Sequence, residues 1–232
     1  PGKMVEEALK AVEAGFRALK LKVGEGGVEK DLERVRAVRD AVGSDIELRV
    51  DVNQAWSVQE ALRAVGELGK LEVAFVEQPI PAGDLEGLAR VREASPVPVM
   101  ADEAVLGPGD ALKAVQASAV DLINIKLMKC GGLSDALRIA AIAEAAGVDL
   151  MVGCGGESRL AITAGVHLAA ALKAICYADL DSDLLLAEDI VAVGGSELEG
   201  DLRIPPGAPG LGVEALRAVS YTHLTLPTTE RV

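Results

Sequence analysis

Six ionisable residues close short apolar runs in this sequence: Lys20 and Lys22 in LKLKVG, Asp51 in RVDVNQAW, Glu77 in FVEQPI, Asp102 in MADEAV and Lys126 in NIKLMKCGG. Three carboxylates brought together repel one another unless a cation sits among them. Mg²⁺ suits such a set, because it prefers oxygen ligands and keeps positions open for water or substrate; Zn²⁺ would call for a His or Cys cluster that the sequence lacks. An acid bound to that cation through its carboxylate would have its α-carbon between the lysines. Loss of the α-proton gives an enediolate whose charge the metal stabilises. One amine takes the proton and another returns one to the opposite face. The base must be neutral when it acts, and the charge of Lys20 beside Lys22, with the cation, lowers the pKa as that role requires.

Such residues can meet only if the chain folds to gather strand ends. Apolar, often β-branched runs alternate with amphipathic segments at a repeat of ~25 residues, about one strand plus one helix. Strands are expected at Ala18–Val23, Ile46–Val52, Val73–Glu77, Val97–Ala101, Leu122–Lys126, Leu150–Gly153 and Ile175–Leu180. Helices are expected at Met4–Ala14, Val28–Val42, Val58–Leu68, Leu85–Ala94, Asp110–Gln116, Ser134–Ala146 and Ser158–Leu172. Seven evenly spaced strands, without a dinucleotide glycine fingerprint, imply an α/β fold of the (β/α) barrel type, whose active sites form at the carboxyl ends of the strands. Lys20 and Lys22 share one strand face. The strand of Lys126 lies four places on, half of an eight-stranded ring, so the amines face each other across the metal.

The barrel is expected over 1–190, with its first strand upstream of this chain, and a carboxyl-terminal segment follows at 191–219. The tail 220–232, SYTHLTLPTTERV, loses the alternation and reads as non-native.

With 50% hydrophobic residues and a net charge of −13, the chain can bury a sizeable core and offers no basic stripe for nucleic acid or an anionic membrane. Cys130, Cys154 and Cys176 are too few and too scattered for a disulfide framework and are expected to be small buried residues in a reducing, cytoplasmic compartment. Neither a membrane span nor a secretion signal is expected from this sequence. A homo-oligomer is allowed by the sequence but not specified by it. His167 is expected to be a satisfied packing residue, and Trp56 and Gln54 to be packing residues.

LKLKVG, DVNQAW, VEQP, ADE and NIKLMKCGG, in this order and spacing, resemble the muconate-lactonising subgroup of the enolase superfamily over Pro1–Val213. The resemblance implies Mg²⁺ held by Asp51, Glu77 and Asp102, an acid/base pair of Lys22 and Lys126, and Lys20, Asn53 and Glu103 as neighbours that tune them. It also implies a capping domain upstream of this chain, toward which the 191–219 segment returns. YADLDSD is similar to the dipeptide epimerases, where an Asp-x-Asp pair, here Asp179 and Asp181, binds the substrate's α-ammonium. GCGGESRL also resembles that group and implies Gly153, Cys154 and Glu157 in the substrate site, although Gly155 stands where a bulkier residue is common. Read without the family, Gly153, Gly155 and Gly156 ahead of a helix could cradle a phosphate, which their acidic neighbours oppose. The function implied is epimerisation of the C-terminal residue of a dipeptide, of the L-Ala-D/L-Glu type. The alternatives are o-succinylbenzoate synthase or muconate cycloisomerase chemistry, and a non-catalytic metal-binding barrel.

Overall fold

The computed structural model describes residues 2–217. The expected non-native tail at 220–232 lies outside the described residues. Helix α1 (Gly2–Glu13) leads into seven alternations. The strands are β1 (Ala18–Lys22), β2 (Glu47–Asp51), β3 (Val73–Glu77), β4 (Val99–Ala101), β5 (Leu122–Lys126), β6 (Asp149–Gly153) and β7 (Ile175–Asp179). They pair in chain order, every pair parallel. The helices between them are α2 (Val28–Val42), α3 (Val58–Lys70), α4 (Leu85–Ala94), α5 (Pro108–Gln116), a one-turn α6 (Leu127–Cys130), α7 (Leu133–Ala146) and α8 (Arg159–Ala171).

Local chemistry starts the helices where the sequence says they should start. Ser57 and Glu60 close a capping box on α3, the Glu60 carboxylate accepting the Ser57 N–H at 2.8 Å. Asp84 accepts the N–H of Gly87 at 2.7 Å and caps α4. With Ser57, Asp84 and Gly107 at the N-cap positions of α3, α4 and α5, none of Asp51, Glu77 and Asp102 caps the helix that follows it.

The sheet curls until its two ends meet. Arg49 on β2 donates to the carbonyl of Ala178 on β7 at 3.0 Å, and Lys20 on β1 pairs with Asp179 at the end of β7. One apolar layer, including Leu48, Val50, Val65 and Leu68, packs strands against helices. A second cluster fills the inside of the curl, with Phe75, Met100, Leu122 and Met151 buried and Tyr177 against them. The Arg49 guanidinium lies 5.0 Å from the Tyr177 ring centre and 5.7 Å from that of Phe75, closing this floor.

Strand parity then does the positioning. Two residues beyond Arg49, Phe75, Met100, Leu122, Met151 and Tyr177 come Asp51, Glu77, Asp102, Asn124, Gly153 and Asp179, on the same inward face at the carboxyl ends. The architecture is the parallel, helix-covered curl expected of a (β/α) barrel portion.

Among the elements, sequence reading missed α6, a single 3₁₀ turn at Ser182–Leu185, and four short strands after it: β8 (Val191–Gly194), β9 (Glu197–Glu199), β10 (Leu202–Ile204) and β11 (Val213–Leu216). They form two antiparallel pairs, β8 with β11 and β9 with β10. The segment is fastened to the barrel. Ser196 donates its N–H to Thr163 Oγ1 at 2.8 Å. Arg203 donates to the Leu180 carbonyl at 2.9 Å and forks onto the Asp183 carboxylate, at 3.1 Å for one of the two bonds.

Asp183 is thus half of a buried ion pair. Removing one partner of such a pair strands the other charge. Arg203→Ala is expected to lower stability by about 3–5 kcal/mol in denaturant unfolding. Asp183→Asn should lose nearly as much, and a loss under about 1 kcal/mol would mean that solvent already screens the pair. No described helix is long and apolar enough to cross a membrane.

Candidate active site

The three acids end or follow neighbouring strands, and all are buried, Asp51 and Glu77 completely and Asp102 to within 2%. Asp51 and Glu77 stand side by side in register. Each has cationic company: Asp51 accepts from Lys22 at 2.9 Å, Glu77 faces Lys20 at 3.4 Å, and Asp102 accepts from Lys126 at 2.8 Å and pairs with Lys129. As placed, no group of three or more acidic, His or Cys side chains among the described residues already forms a metal cage.

The electrostatics record the crowding. Burial pushes Glu77 up to about 7 against the pull of Lys20, and the charges of Asp51 and Asp102 add to the rise. Burial also works to raise Asp102, yet Lys129 and Lys126 outweigh it and hold the carboxyl below its ordinary value. Burial works to lower Lys20 and Lys126, but the carboxylates around them prevail and both stand above the ordinary lysine value. An amine bonded to Asp102 or facing Glu77 is stabilised as the cation.

The expected neighbours of the lysines are brought together. Asn53 accepts from Lys22 at 3.1 Å and donates to Glu103 at 3.2 Å, tying the end of β2 to the loop after β4. Asn53, Gln54 and Gln78, which follow Asp51 and Glu77, all have positive φ, a conformation held only where surroundings fix it. Main-chain bonds hold them there, the Gln54 N–H donating to the Gln78 carbonyl at 2.8 Å and the Gln78 N–H to the Met100 carbonyl at 2.9 Å. Gln54 accepts the Ala82 N–H at 2.9 Å, and Trp56 donates to the buried Asp31 at 2.9 Å. Both brace loops as well as fill space.

Around β6 and β7, Asp179 pairs with Lys20, a contact the sequence did not anticipate. Asp181 has no ion-pair partner among the described residues; the Cys154 thiol lies 3.6 Å from it, and burial with the Asp179 charge raises its pKa. Burial likewise raises Glu157, with Lys126 near enough to pull it back. The Glu157 N–H donates to Ser182 at 2.9 Å. At the start of α8 the Arg159 N–H donates to the Asp189 carboxylate at 2.7 Å, which takes up one donor and sets an acid where a phosphate cradle would need positive charge.

Two expectations need correction. Cys130 and Cys154 are buried, but Cys176 is exposed, because it points outward from β7 beside the exposed Ala178. His167 is not satisfied: its buried Nε2 has no hydrogen-bond partner among the described residues. Sequence reading also passed over Asn124, whose Nδ2 donates to Glu77 at 2.6 Å, and Lys129. Parity could have found the first, two residues before Lys126. Helical spacing could have found the second, three after it.

The fold and this acid-and-amine layout define a barrel domain of an enzyme family, and comparison says which. The chain belongs to the enolase C-terminal domain-like family, whose model matches residues 3–219. A hydrophobic dipeptide epimerase of Enterococcus faecalis is 46% identical over 215 residues, covering 92% of this chain and 60% of that protein. The substrate-liganded L-Ala-D/L-Glu epimerase of Bacillus subtilis superposes with a TM-score of 0.91 at 41% identity, over 94% of this chain and 61% of that one. A dipeptide epimerase of Cytophaga hutchinsonii, solved with Mg and the dipeptide D-Ala-L-Val, gives 0.89 at 38% identity, over 93% and 58%. A muconate cycloisomerase of Pseudomonas fluorescens gives 0.87 at 37%, over 91% and 59%. The chain thus spans about three fifths of the length of the curated relatives it matches.

Proposed function

We propose that this chain carries the catalytic face of a Mg²⁺-dependent dipeptide epimerase that inverts the α-carbon of the C-terminal residue. The observation that carries the reading is the acid-and-amine set at the strand ends, joined by the acid pair Asp179 and Asp181 on β7 and just beyond it. The donor set fits the ion, since three buried carboxylates are hard oxygen ligands and Glu77, raised to about 7, is crowded by its acidic neighbours. Asp51, Glu77 and Asp102 would hold Mg²⁺, which when bound supplies positive charge to the substrate's carboxylate as the α-proton leaves.

The chain's own residues do the rest. Lys22 on β1 and Lys126 on β5, four strands apart, serve opposite faces of the α-carbon, one removing a proton and the other supplying one. Asn53 orients Lys22, and Glu103 in turn holds Asn53. Lys20 spans Glu77 and Asp179, linking the acids to the ammonium end of the substrate. Asp181, with Asp179, receives the α-ammonium, and Gly153, Cys154 and Glu157 line the approach. The L-Ala-D/L-Glu type is the substrate proposed. A homo-oligomer and a cytoplasmic setting are compatible with this reading.

Elimination or cycloisomerisation, favoured by the similar muconate cycloisomerase, would use the same lysines. An ammonium-binding carboxylate is repulsive toward a dicarboxylate substrate, which argues for the dipeptide. Incubation of Ala-Glu with Mg²⁺ in deuterium oxide should give α-deuteration of the C-terminal residue alone by NMR. Silence across a dipeptide library, with turnover of a succinylbenzoate precursor or muconate, would replace this reading with its rival.

A further inference from the structure

Each of the three acids is held by one oxygen from outside the centre and turns its other oxygen to a lysine. Asp51 Oδ1 accepts the Asn53 N–H at 3.0 Å, while Oδ2 accepts from Lys22. Glu77 Oε1 accepts from Asn124 Nδ2 at 2.6 Å, while Oε2 faces Lys20. Asp102 Oδ1 is bonded by Lys129, which also donates to the Asp102 carbonyl at 2.7 Å, while Oδ2 accepts from Lys126. The first anchor is backbone and follows from the turn after β2. The other two are side chains, and the fold makes room for both.

Asn124 is 1% exposed and its Oδ1 has no partner among the described residues. It fits only because the adjacent strand carries Gly153, where a Cβ would lie 2.5 Å from that oxygen. Lys129 sits on the one-turn helix α6, which ends at Gly131 in the left-handed region, and its ammonium is folded back over Asp102 with 17% of the side chain exposed. A lysine that grips both the carbonyl and the carboxylate of one residue fixes that carboxylate's rotation. Lys126, which touches only the inward oxygen, does not.

Resting on the reading of these acids as metal ligands, we infer that Asn124 and Lys129 are positioning residues of the centre. They hold Glu77 and Asp102 so that one oxygen of each faces inward for the cation, and Lys126 is left to serve the substrate. Outer partners of this kind change metal affinity 10–100-fold when removed.

Charge alone predicts the opposite for Lys129, and that separates the two explanations. Deleting a cation beside a cation site strengthens binding by Coulomb attraction; deleting an anchor weakens it. Mn²⁺ binding to the 232-residue chain, followed by the electron paramagnetic resonance of the free ion, reads this without turnover. Asn124→Leu and Lys129→Met are each expected to weaken Mn²⁺ binding about 10-fold or more, while Lys126→Met binds at least as tightly as the parent. Circular dichroism checks the fold. Should Lys129→Met or Asn124→Leu unfold, Lys129→Gln, which keeps a donor, and Gly153→Ala, which displaces Asn124 from next door, carry the same expectation of weaker binding. Unchanged or tighter binding in the folded variants overturns the inference alone. A parent chain that binds no Mn²⁺ overturns the metal reading and the inference with it.

Discussion

Lys126→Ala is expected to slow interconversion of the two dipeptide epimers by about 10²- to 10⁴-fold, the usual span for a positioned acid or base. The loss should be one-sided at the level of proton exchange. With Lys22 intact, one epimer still gives up its α-proton to deuterium oxide, whereas the other, whose proton faces β5, does not. Lys22→Ala should give the mirror result. The two lysines differ in setting, Lys126 being 11% exposed and bonded to Asp102, Lys22 63% exposed and bonded to Asp51 and Asn53. A structural role for either would therefore harm both epimers equally. Wash-in of deuterium by NMR, starting from each epimer separately, distinguishes the cases. Equal loss from both epimers in both variants would sink the two-face assignment while leaving the metal centre untouched.

The layout of this face was legible because a parallel barrel leaves few bland uses for a charge at a strand end. Lys20, Lys22, Asp51, Glu77, Asp102 and Lys126 interrupt otherwise apolar runs, and the period of two places them on one face. What stayed hidden were pairings that depend on distance between strands rather than position along one. The meeting of Lys20 with Asp179 depends on how tightly the sheet curls, which no local pattern encodes. Asn124 reads as a polar residue among the apolar ones of LINIK, beside Lys126, and its meaning appears only when Glu77 and Gly153 lie against it. The strands at 191–216 were missed because they are only three or four residues long and sit among Pro and Gly, where turn signals drown a short alternation. Arg203 and Asp183 lie twenty residues apart, beyond the reach of any periodicity.

Glu77→Gln is expected to move stability and metal response in opposite directions. In the wild-type fold the carboxyl is buried and raised to about 7 from its ordinary 4.5, so the folded state binds a proton more readily than the unfolded chain. A carboxyl raised in this way makes stability fall as pH climbs from about 4.5 to 7, and the full penalty remains at higher pH. At about 1.4 kcal/mol per tenfold change in proton affinity, the ionised carboxylate costs on the order of 3 kcal/mol. Glutamine keeps an oxygen for Asn124 and never bears the charge. In EDTA at pH 8 the variant should therefore unfold later than the parent, by roughly 1–3 kcal/mol, and the gain should vanish near pH 5. Saturating Mg²⁺ should reverse the order: a ligand at a hundred times its Kd adds about 2.7 kcal/mol to the parent, and little to a variant missing one of three carboxylates. Thermal unfolding at two pH values, with and without Mg²⁺, gives all four numbers. Equal Mg²⁺ responses would remove Glu77 from the metal set, and a variant less stable than the parent in EDTA would show that Lys20 depends on this carboxylate more than burial penalises it.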